Sequence, residues 1–381
     1  MSDTFILGIE SSCDETAAAI VRSGEKLVSN VVASQIATHQ PYGGVVPELA
    51  SREHLRAIVP VVRKALNDAN QTYQSVDAIA VTQGPGLAGS LLVGISYAKA
   101  LAFALDKPLI AVNHLEGHIH AVLLEERQKG NQELIFPVLA LVVSGGHTHL
   151  YLAYQKGEAW SYENVGRTRD DAAGEAFDKV AKLLGLGYPG GPVIDRLSIH
   201  GDPKAVKFPL SQLKHPDRND RGKKMDDRPR VDFSYSGIKT AVLRYVETHH
   251  MKESIEARRK VLAQITKPKL EDYLANCDKQ TLDLVASFQA SIVEDLIAKT
   301  LTAARACDVA TLLVTGGVAA NAELRTRFEK AGAEEGIPVY FPSRPLSTDN
   351  AAMIAAAAYP KFLTQNFAPL DFSAEAGMVL K

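Results

Sequence analysis

The same succession of strands and glycine-rich turns occurs twice along the 381-residue chain. Each time, two apolar segments flank a short turn, and further along a strand leads through glycines into a helix and another strand. These segments are residues 5–9, 17–21, 77–82 and 108–112 in the first half, and 138–143, 149–154, 311–315 and 339–341 in the second. The repeated order predicts an α/β protein with two related lobes that face a central cleft.

Four turns between these segments have compositions suited to ligand binding. Three are rich in glycine, whose missing Cβ lets the backbone approach an anion, especially at a helix N-terminus; they are residues 83–89, 144–147 and 316–321. The fourth, residues 10–16, combines hydroxyl and acidic side chains. Such a turn can approach a phosphate or a metal-bound group, or it can be a solvated hairpin end, and the sequence leaves both interpretations open.

His114 and His118 stand four residues apart, so on a helix their imidazoles project from one face. Two imidazoles at this spacing can hold a divalent metal that takes a further ligand from elsewhere in the chain. A histidine-rich helix end without a metal fits the short pattern equally well. A zinc protease does not fit, because Leu115 stands where its general-base glutamate belongs, and Glu116 is rotated by about 200° from the first histidine.

Composition and charge narrow the class of protein. A formal net charge of −2 gives no overall attraction for nucleic acid, so any such contact must come from local basic patches. The three cysteines are widely spaced and form no Cys-x-x-Cys pair, which suits a reducing cytosol and argues against a disulfide framework or a thiolate metal cage.

The sequence also favours a cytoplasmic protein that does not associate with membranes. An aspartate near the N-terminus occupies the region that is basic in a signal peptide. Two long uncharged stretches, 78–98 and 134–155, are each interrupted by a glycine turn, so we interpret them as strand-and-turn units and not as membrane spans.

Further candidate functional residues lie between and after the repeated units. Residues 170–179 open a helix in which Asp170 and Asp171 are placed to cap the N-terminus, whereas Asp178 is left without a structural explanation. A rigid turn over residues 188–192 leads to Asp195. Near the end of the chain, Asp349 precedes an alanine-rich helix over 351–358 and is a candidate third metal ligand.

Two segments have an excess of lysine and arginine. Residues 211–230 are polar throughout and predict a loop, while residues 250–275 predict a helical insertion. Both are compatible with solvated surface or with RNA-binding arms.

Taken in order, these motifs closely resemble the tRNA N6-adenosine threonylcarbamoyltransferase family, formerly called the O-sialoglycoprotein endopeptidase family. The resemblance covers almost the whole chain. It rests on GIESSCDET (8–16), QGPGLAGSL (83–91), NHLEGH (113–118), LVVSGGHT (141–148), DDAAGEAFDK (170–179), YPGGP (188–192), FSYSGIKT (233–240), TGGVAAN (315–321) and STDNAAMIA (347–355).

The resemblance implies a two-lobed actin/sugar-kinase/Hsp70-like fold, a duplicated ribonuclease H-like architecture with a central cleft. We expect residues 1–112 plus about 351–381 to form lobe I, and residues 113–350 to form lobe II with insertions at 211–230 and 250–275. The implied reaction transfers the threonylcarbamoyl group of threonylcarbamoyl-AMP to N6 of the adenosine that follows the anticodon in tRNAs reading ANN codons, releasing AMP.

The resemblance also implies roles for particular residues. His114, His118 and Asp349 correspond to metal ligands, for iron(II) or alternatively zinc, with coordination positions left open for substrate. Asp14 lies in the acidic first loop and is expected to orient the acceptor amine or the carbamoyl group. The residues that correspond to adenylate contacts are Val142, Val143, Ser144, Gly145, Gly146, Asp178, Gly191, Asp195 and Asn321.

The implied partners are tRNA, a paralogous inactive subunit and a small ATPase. Two departures from the family pattern are visible: Ser347 replaces the cysteine that usually opens the last motif, and both basic insertions are longer than expected of short bacterial members. An ATP-dependent kinase or ATPase of the same superfamily needs no paired histidines. A non-catalytic scaffold would not need to retain the histidines, Asp349 and the glycine turns.

Overall fold

The computed structural model describes residues 3–131, 134–208 and 231–381. Its strands form two five-stranded sheets. The first sheet contains β1 (Phe5–Glu10), β2 (Glu15–Arg22), β3 (Lys26–Ser34), β4 (Ala78–Gly84) and β5 (Leu109–Asn113). The second contains β6 (Val138–Val143), β7 (Thr148–Lys156), β8 (Ala159–Arg167), β9 (Thr311–Thr315) and β10 (Val339–Tyr340).

The two sheets have the same topology, which confirms the duplicated architecture predicted from the sequence. The strand orders are β3-β2-β1-β4-β5 and, read in the same direction, β8-β7-β6-β9-β10. In each sheet the first three strands form an antiparallel meander, and the first strand pairs in parallel with the fourth, which pairs in parallel with the fifth. The carboxyl ends of the parallel strands therefore meet at one edge of each sheet.

The helices connect and cover these sheets. They are α1 (Ile36–His39), α2 (Pro47–Asp68), α3 (Ala88–Leu105), α4 (His114–Gln128), α5 (Ala173–Leu183), α6 (Gly190–Ser198), α7 (Ser236–Thr248), α8 (Lys252–Leu262), α9 (Leu270–Asn276), α10 (Lys279–Ala306), α11 (Ala322–Glu335), α12 (Arg344–Ser347) and α13 (Ala351–Leu363). Short 3-10 helices span Gln40–Tyr42 and Gly317–Ala320.

Helix α4 is buried between the two sheets. Its Ala121 and Leu124 pack with α13 and the first sheet, whereas Leu115 and Ile119 pack with the second sheet. This placement sets the N-terminus of α4, with both histidines, between the strand ends of the two halves. The lobe boundary predicted at residues 112–113 falls at the start of this helix, and the exact limits of the lobes stay a prediction.

The alanine-rich sequence of α13 allows it to lie very close to the first sheet. A Cβ added to Gly8 of β1 would lie 2.3 Å from the carbonyl oxygen of Ala351. Only glycine and alanine at such a crossing permit this approach, so the start of α13, just after Asp349, is fixed against the first sheet.

The prediction that Asp170 and Asp171 cap the following helix is wrong. Helix α5 begins at Ala173, and its N-cap, Ala172, makes no side-chain capping bond. The Asp170 carboxylate instead accepts hydrogen bonds from the Ser234 hydroxyl and the start of α7, while Asp171 pairs with two lysines. Hydrogen bonds from the segment at the start of α7 and ion pairs with Lys179 of α5 and Lys239 of α7 replace the local amides that capping requires.

The basic insertion at 250–275 is helical, as predicted, and contains α8 and α9. Arg258 of α8 is buried and donates to the carbonyl oxygens of Leu184 and Asn276 and to the Thr281 hydroxyl, which anchors the insertion to the end of α5. The predicted loop at 211–230 lies outside the described residues.

Among the described residues, one helix, α3, is long and apolar enough to cross a membrane. Its Leu91, Ile95, Ala98 and Ala102 are buried in the core with the first sheet and α2. One third of this helix is buried, whereas Leu92 and Phe103 are exposed.

Candidate active site

The two predicted ligand histidines lie in the first two turns of α4. The side chain of Asn113, the last residue of β5, caps the helix by accepting a 2.9 Å hydrogen bond from the Leu115 amide. His114 is therefore the first helical residue, and His118 follows one turn later with its ring centroid 4.8 Å from that of His114. The helix predicted from their spacing is confirmed.

Asp349 meets both histidines from the other end of the chain. Its Oδ1 lies 3.2 Å from Nε2 of His118 and 3.5 Å from Nε2 of His114. One ligand atom from each of the three residues lies within 4.8 Å of the other two. Asn350 caps α13 through the Met353 amide, and Asp349 immediately precedes this cap. The structure thus brings Asp349 to two histidines from which it is separated by more than half the sequence.

Electrostatics at this cluster couple the imidazoles to the carboxylate. Although burial opposes the charged form of His114, Asp349 and Glu10 raise its pKa to about 9. Burial lowers the pKa of His118. Burial opposes the charged form of Asp349 too, but His114 and His118 bring its pKa below the usual value.

The cluster has the donor set of a divalent metal site. Nδ1 of the buried His118 has no hydrogen-bond partner among the described residues, and Nε2 faces Oδ1 of Asp349 at 3.2 Å. Nδ1 of His114 lies 3.1 Å from a carboxylate oxygen of Glu10, so the opposite nitrogen is free to bind a metal on the Asp349 side. Two imidazoles and one carboxylate suit iron(II) or zinc and leave coordination positions for substrate.

Sequence reasoning missed the role of Glu10. This residue ends β1, is fully buried, and also accepts a 2.7 Å hydrogen bond from the Thr82 hydroxyl. Its position at the carboxyl end of a strand parallel to β4 was a signal that could have placed it at the cleft edge with His114.

Asp14 lies in the turn between β1 and β2, on the same side as the candidate metal ligands. Burial raises its pKa, and the charge of Asp349 adds to this effect. Asp14 in turn contributes, after burial, to the raised pKa of Asp178. The carboxylate of Asp14 therefore interacts electrostatically with those of Asp349 and Asp178. Its predicted role toward the acceptor stays a prediction.

Two glycine-rich turns meet where β6 and β9 end. Gly145 and Gly146 have no atom within 4 Å of an added Cβ, so this turn has open space beside its backbone. Gly316 of the other turn has φ +96°, and a Cβ there would lie 2.4 Å from the Val143 carbonyl oxygen. Glycine at position 316 is therefore required for the two turns to pack together.

Asp178 closes one side of this region. Its carboxylate accepts a 2.6 Å hydrogen bond from the Gly190 amide at the start of α6. Burial raises its pKa to about 6, against the opposing effect of the Gly190 and Gly191 amides. No atom lies within 4 Å of a Cβ added to Gly191, so a ligand has room beside this backbone. Asp178, which capping did not explain, is thus placed beside the Gly190 amide and next to the open backbone of Gly191.

Asp195 and Asn321 meet at the N-terminus of α11. The Asp195 carboxylate oxygens lie 3.2 and 3.3 Å from the Ala322 amide. The Asn321 side chain caps the helix by accepting from Leu324 and donates to Oε1 of Gln289 at 2.7 Å. Both polar atoms of Asn321 therefore have partners within the protein, and its contact with a ligand stays a prediction.

Gln289 is a second residue that sequence reasoning missed. It is buried on α10, and its amide nitrogen donates to the Ser198 hydroxyl at 2.7 Å and to Glu323 at 2.9 Å, with Asp195 at 3.5 Å. The side-chain amide of Gln289 thus links α6, α10 and α11 next to Asp195 and Asn321, two of the predicted adenylate contacts. A glutamine on an otherwise apolar helix face was the only sequence signal.

His147 follows the glycine turn and lies beside the metal-ligand cluster. Its ring centroid is 6.2 Å from that of His114 and 5.5 Å from that of His149. Burial lowers its pKa to about 3, with His114 contributing in the same direction. A neutral imidazole therefore adjoins the cluster.

Comparison with known proteins gives a consistent result. The family model described as tRNA N6-adenosine threonylcarbamoyltransferase matches residues 26–356. The protein of that name from Koribacter versatilis is 70% identical over 381 residues, which cover 100% of both chains. The one from Syntrophobacter fumaroxidans is 50% identical over 374 residues, covering 97% of this chain and 98% of the relative.

A solved structure shows the same fold at much lower sequence identity. Full-length HypF in its phosphate- and nucleotide-bound form is 14% identical, with a TM-score of 0.54, and the match covers 97% of this chain and 47% of that one. This likeness concerns the fold alone, and it agrees with the two-lobed actin/sugar-kinase/Hsp70-like architecture predicted from the sequence, which is confirmed.

Proposed function

The chain belongs to the tRNA N6-adenosine threonylcarbamoyltransferase family, and we propose that it transfers the threonylcarbamoyl group of threonylcarbamoyl-AMP to N6 of the adenosine that follows the anticodon, in tRNAs reading ANN codons. The observation that carries the proposal is the cluster of His114, His118 and Asp349, whose ligand atoms lie within 4.8 Å of one another in a chain 70% identical to a named family member.

The reaction is an acyl transfer from a mixed anhydride. The N6 amine attacks the carbamoyl carbonyl carbon, a nitrogen–carbon bond forms, and the bond from that carbon to the phosphate oxygen breaks. AMP leaves with the bonding electron pair, and the amine loses one proton. Because the donor is already activated, the protein has to bind the donor, orient the amine and stabilise the developing oxyanion.

The chain's own residues are arranged for the first two tasks. The open backbone at Gly145 and Gly146 can approach the adenylate phosphate, and the carboxylates of Asp178 and Asp195 can accept hydrogen bonds from ribose hydroxyls. We propose that Asp14 orients the acceptor amine or the carbamoyl group; the proposal is supported by the effect of Asp349 on the pKa of Asp14 and of Asp14 on the pKa of Asp178.

His114, His118 and Asp349 would hold a divalent metal, which we propose is iron(II), with zinc as the alternative. When bound, such an ion supplies Lewis acidity for the carbamoyl carbonyl. The support is that Nε2 of His118 and Nε2 of His114 both face Oδ1 of Asp349, and that the Glu10 contact with Nδ1 orients the His114 ring in this way.

We propose that the surface of α2 and α3 binds a partner protein, the paralogous inactive subunit of the transfer complex. Leu55 of α2 is 66% exposed and Leu92 of α3 is 53% exposed. The two helices run side by side, since a Cβ on Gly89 would lie 3.3 Å from that of Ser51. The exposed side chains of Leu55 and Leu92 therefore form an apolar strip across both helices, and α3 carries few charged residues. Co-purification with that subunit should be lost in Leu55→Asp and retained in an Arg56→Asp control.

The proposed function further places the protein in the cytoplasm, together with a small ATPase of the same complex and with tRNA. The overall charge of −2 leaves tRNA attraction to local basic surface and to the partner subunits. Lys223, Lys224, Arg228 and Arg230, outside the described residues, supply one candidate patch. Neutralising them should flatten the salt dependence of tRNA binding by the complex; an unchanged slope would remove them from the interface.

The transfer itself is tested by incubating the protein and its partners with bicarbonate, threonine, ATP and tRNA, followed by mass spectrometry of the nucleosides. We expect threonylcarbamoyladenosine with the natural chain and none with Asp349→Asn. ATP hydrolysis by the purified chain alone, with no such product in the complete mixture, would favour an ATPase of the same fold.

A further inference from the structure

Arg325 makes hydrogen bonds to two separate loops that lead to the candidate site. It lies on α11 and is partly buried. Its Nε donates to the Ala319 carbonyl oxygen at 2.7 Å, and one Nη donates to the Pro342 carbonyl oxygen at 2.6 Å and to the Ser347 hydroxyl at 3.1 Å. The centre of the guanidinium also lies 4.9 Å from the Phe341 ring centroid, a cation–π contact.

The two loops serve different halves of the site. Ala319 belongs to the 3-10 helix Gly317–Ala320, within the glycine turn that packs on Val143 beside the open Gly145–Gly146 backbone. Pro342 and Ser347 belong to the segment between β10 and Asp349. A single guanidinium therefore joins the turn on the proposed nucleotide side to the loop that delivers the metal ligand.

Ser347 is the residue that brings this contact closest to Asp349. It is fully buried, accepts from Arg325, and donates to the Ser343 carbonyl oxygen at 3.1 Å. Asp349 lies two residues after Ser347, and the next residue, Asn350, is the N-cap of α13. The ligand loop is thus fixed on one side by a helix cap and on the other by Arg325. A cysteine, which usually stands here in the resembling motif, is a weaker hydrogen-bonding group.

We propose that Arg325 is a positioning residue that fixes the Asp349 loop and the 316–321 turn relative to each other, so that one side chain sets the affinity for both metal and nucleotide. This inference rests on the proposed function only for the identity of the ligands, a metal at the Asp349 loop and an adenylate at the 316–321 turn. The geometry requires arginine, because its planar fork reaches three acceptors in two directions, whereas a lysine ammonium offers no fixed fork.

The test measures binding and not transfer. Cobalt(II) affinity is followed by its visible absorption, AMP affinity by calorimetry, and folding by the melting temperature, for Arg325→Lys and Ser347→Ala. Outer-shell changes of this kind lower metal affinity by about 10- to 100-fold. We expect Arg325→Lys to weaken cobalt and AMP binding, and Ser347→Ala to weaken cobalt binding alone.

Matched variants sharpen the comparison. Arg305→Lys alters an arginine on α10 whose salt bridge with Glu335 is at the surface, and both affinities should be unchanged. Ser347→Cys keeps a weak hydrogen-bonding group and should restore most of the cobalt affinity lost in Ser347→Ala. This recovery is a readout that a general loss of stability would not produce.

The inference is overturned if Arg325→Lys folds and binds cobalt and AMP within twofold of the natural chain, or if only its melting temperature falls. If Arg325→Lys does not fold, the serine variants decide: equal cobalt affinity in Ser347→Ala and the natural chain contradicts the proposal. A natural chain that binds neither probe would overturn the proposed sites themselves, and this result is distinct because no variant is needed to see it.

Discussion

The ring of His114 joins the buried carboxylate of Glu10 to the partly exposed carboxylate of Asp349: its Nδ1 lies 3.1 Å from Oε2 of Glu10, and its Nε2 lies 3.5 Å from Oδ1 of Asp349. The contact with Glu10 fixes the orientation of the imidazole and leaves the second nitrogen facing Asp349. The first hairpin of the fold thereby contributes to the proposed metal site, whose candidate ligands come from the middle and the end of the chain.

We expect Glu10→Gln to lower metal affinity by about 10- to 100-fold, because an amide no longer holds the proton on Nδ1 of His114 as a carboxylate does. Cobalt(II) or zinc(II) titration of the purified variant measures this change. Glu158→Gln, on an exposed turn, serves as the control. Affinity within twofold of the natural chain would show that the Glu10 contact does not support the metal.

Alanine at His114, His118 or Asp349 should empty the metal site, because three ligands are too few to lose one. Metal analysis by mass spectrometry of each purified variant should find well under one equivalent. His200→Ala, which removes an exposed histidine, should keep the full amount. Retention of one equivalent in a site variant would remove that residue from the ligand set.

Binding of adenosine, which has no phosphate to titrate in this range, should strengthen as the pH rises through about 6. Burial raises the pKa of Asp178 to about 6, and only the ionised carboxylate accepts hydrogen bonds from both ribose hydroxyls. At about pH 5 roughly one-tenth of the carboxylate is ionised, so the affinity should be about tenfold lower than at about pH 7.5. Calorimetry at both values measures the change, and Asp178→Asn should abolish it. A pH dependence that persists in the variant would assign it to another group.

The same raised pKa has a consequence for stability. The folded state binds a proton on Asp178 more tightly than the unfolded state does, so protonation of Asp178 stabilises the fold. This stabilisation is complete below the unfolded pKa and is lost as the pH rises through about 6.

Gln289→Glu should disturb folding and adenosine binding together. The new carboxylate would face Glu323 and Asp195, which now lie 2.9 and 3.5 Å from the amide nitrogen. Losing these buried donor contacts costs about 1–3 kcal/mol, and the added charge increases the cost. Urea unfolding and calorimetry measure the two effects. The control, Gln280→Glu, changes a partly exposed glutamine of the same helix. Unchanged adenosine affinity would show that Gln289 does not position the ligand contacts.

Much of the fold was predictable because a segment that is buried on both faces has consecutive apolar residues in the sequence. The strands β1 and β4 and their duplicates β6 and β9 are buried along their length and appear as apolar runs. The third strands of the two meanders were missed. In β3 and β8, exposed and partly exposed residues alternate with few buried ones, so neither strand shows such a run.

The site was predictable where spacing or resemblance carried information, and not where contacts depend on the tertiary fold. The spacing of His114 and His118 indicates one helix face, but Glu10 and Gln289 reach the site through pairing of distant elements. Asp170 shows the opposite error, since a plausible local capping role is replaced by contacts with α7, more than sixty residues later.

The most direct test of the account is a single-turnover reaction of the assembled complex with preformed threonylcarbamoyl-AMP and one tRNA. We predict that AMP release equals the gain of threonylcarbamoyl groups on the tRNA, and that a transcript with guanosine after the anticodon gains none. Release of AMP at the same rate with either transcript, and without any gain in tRNA mass, would contradict the assignment as a transferase.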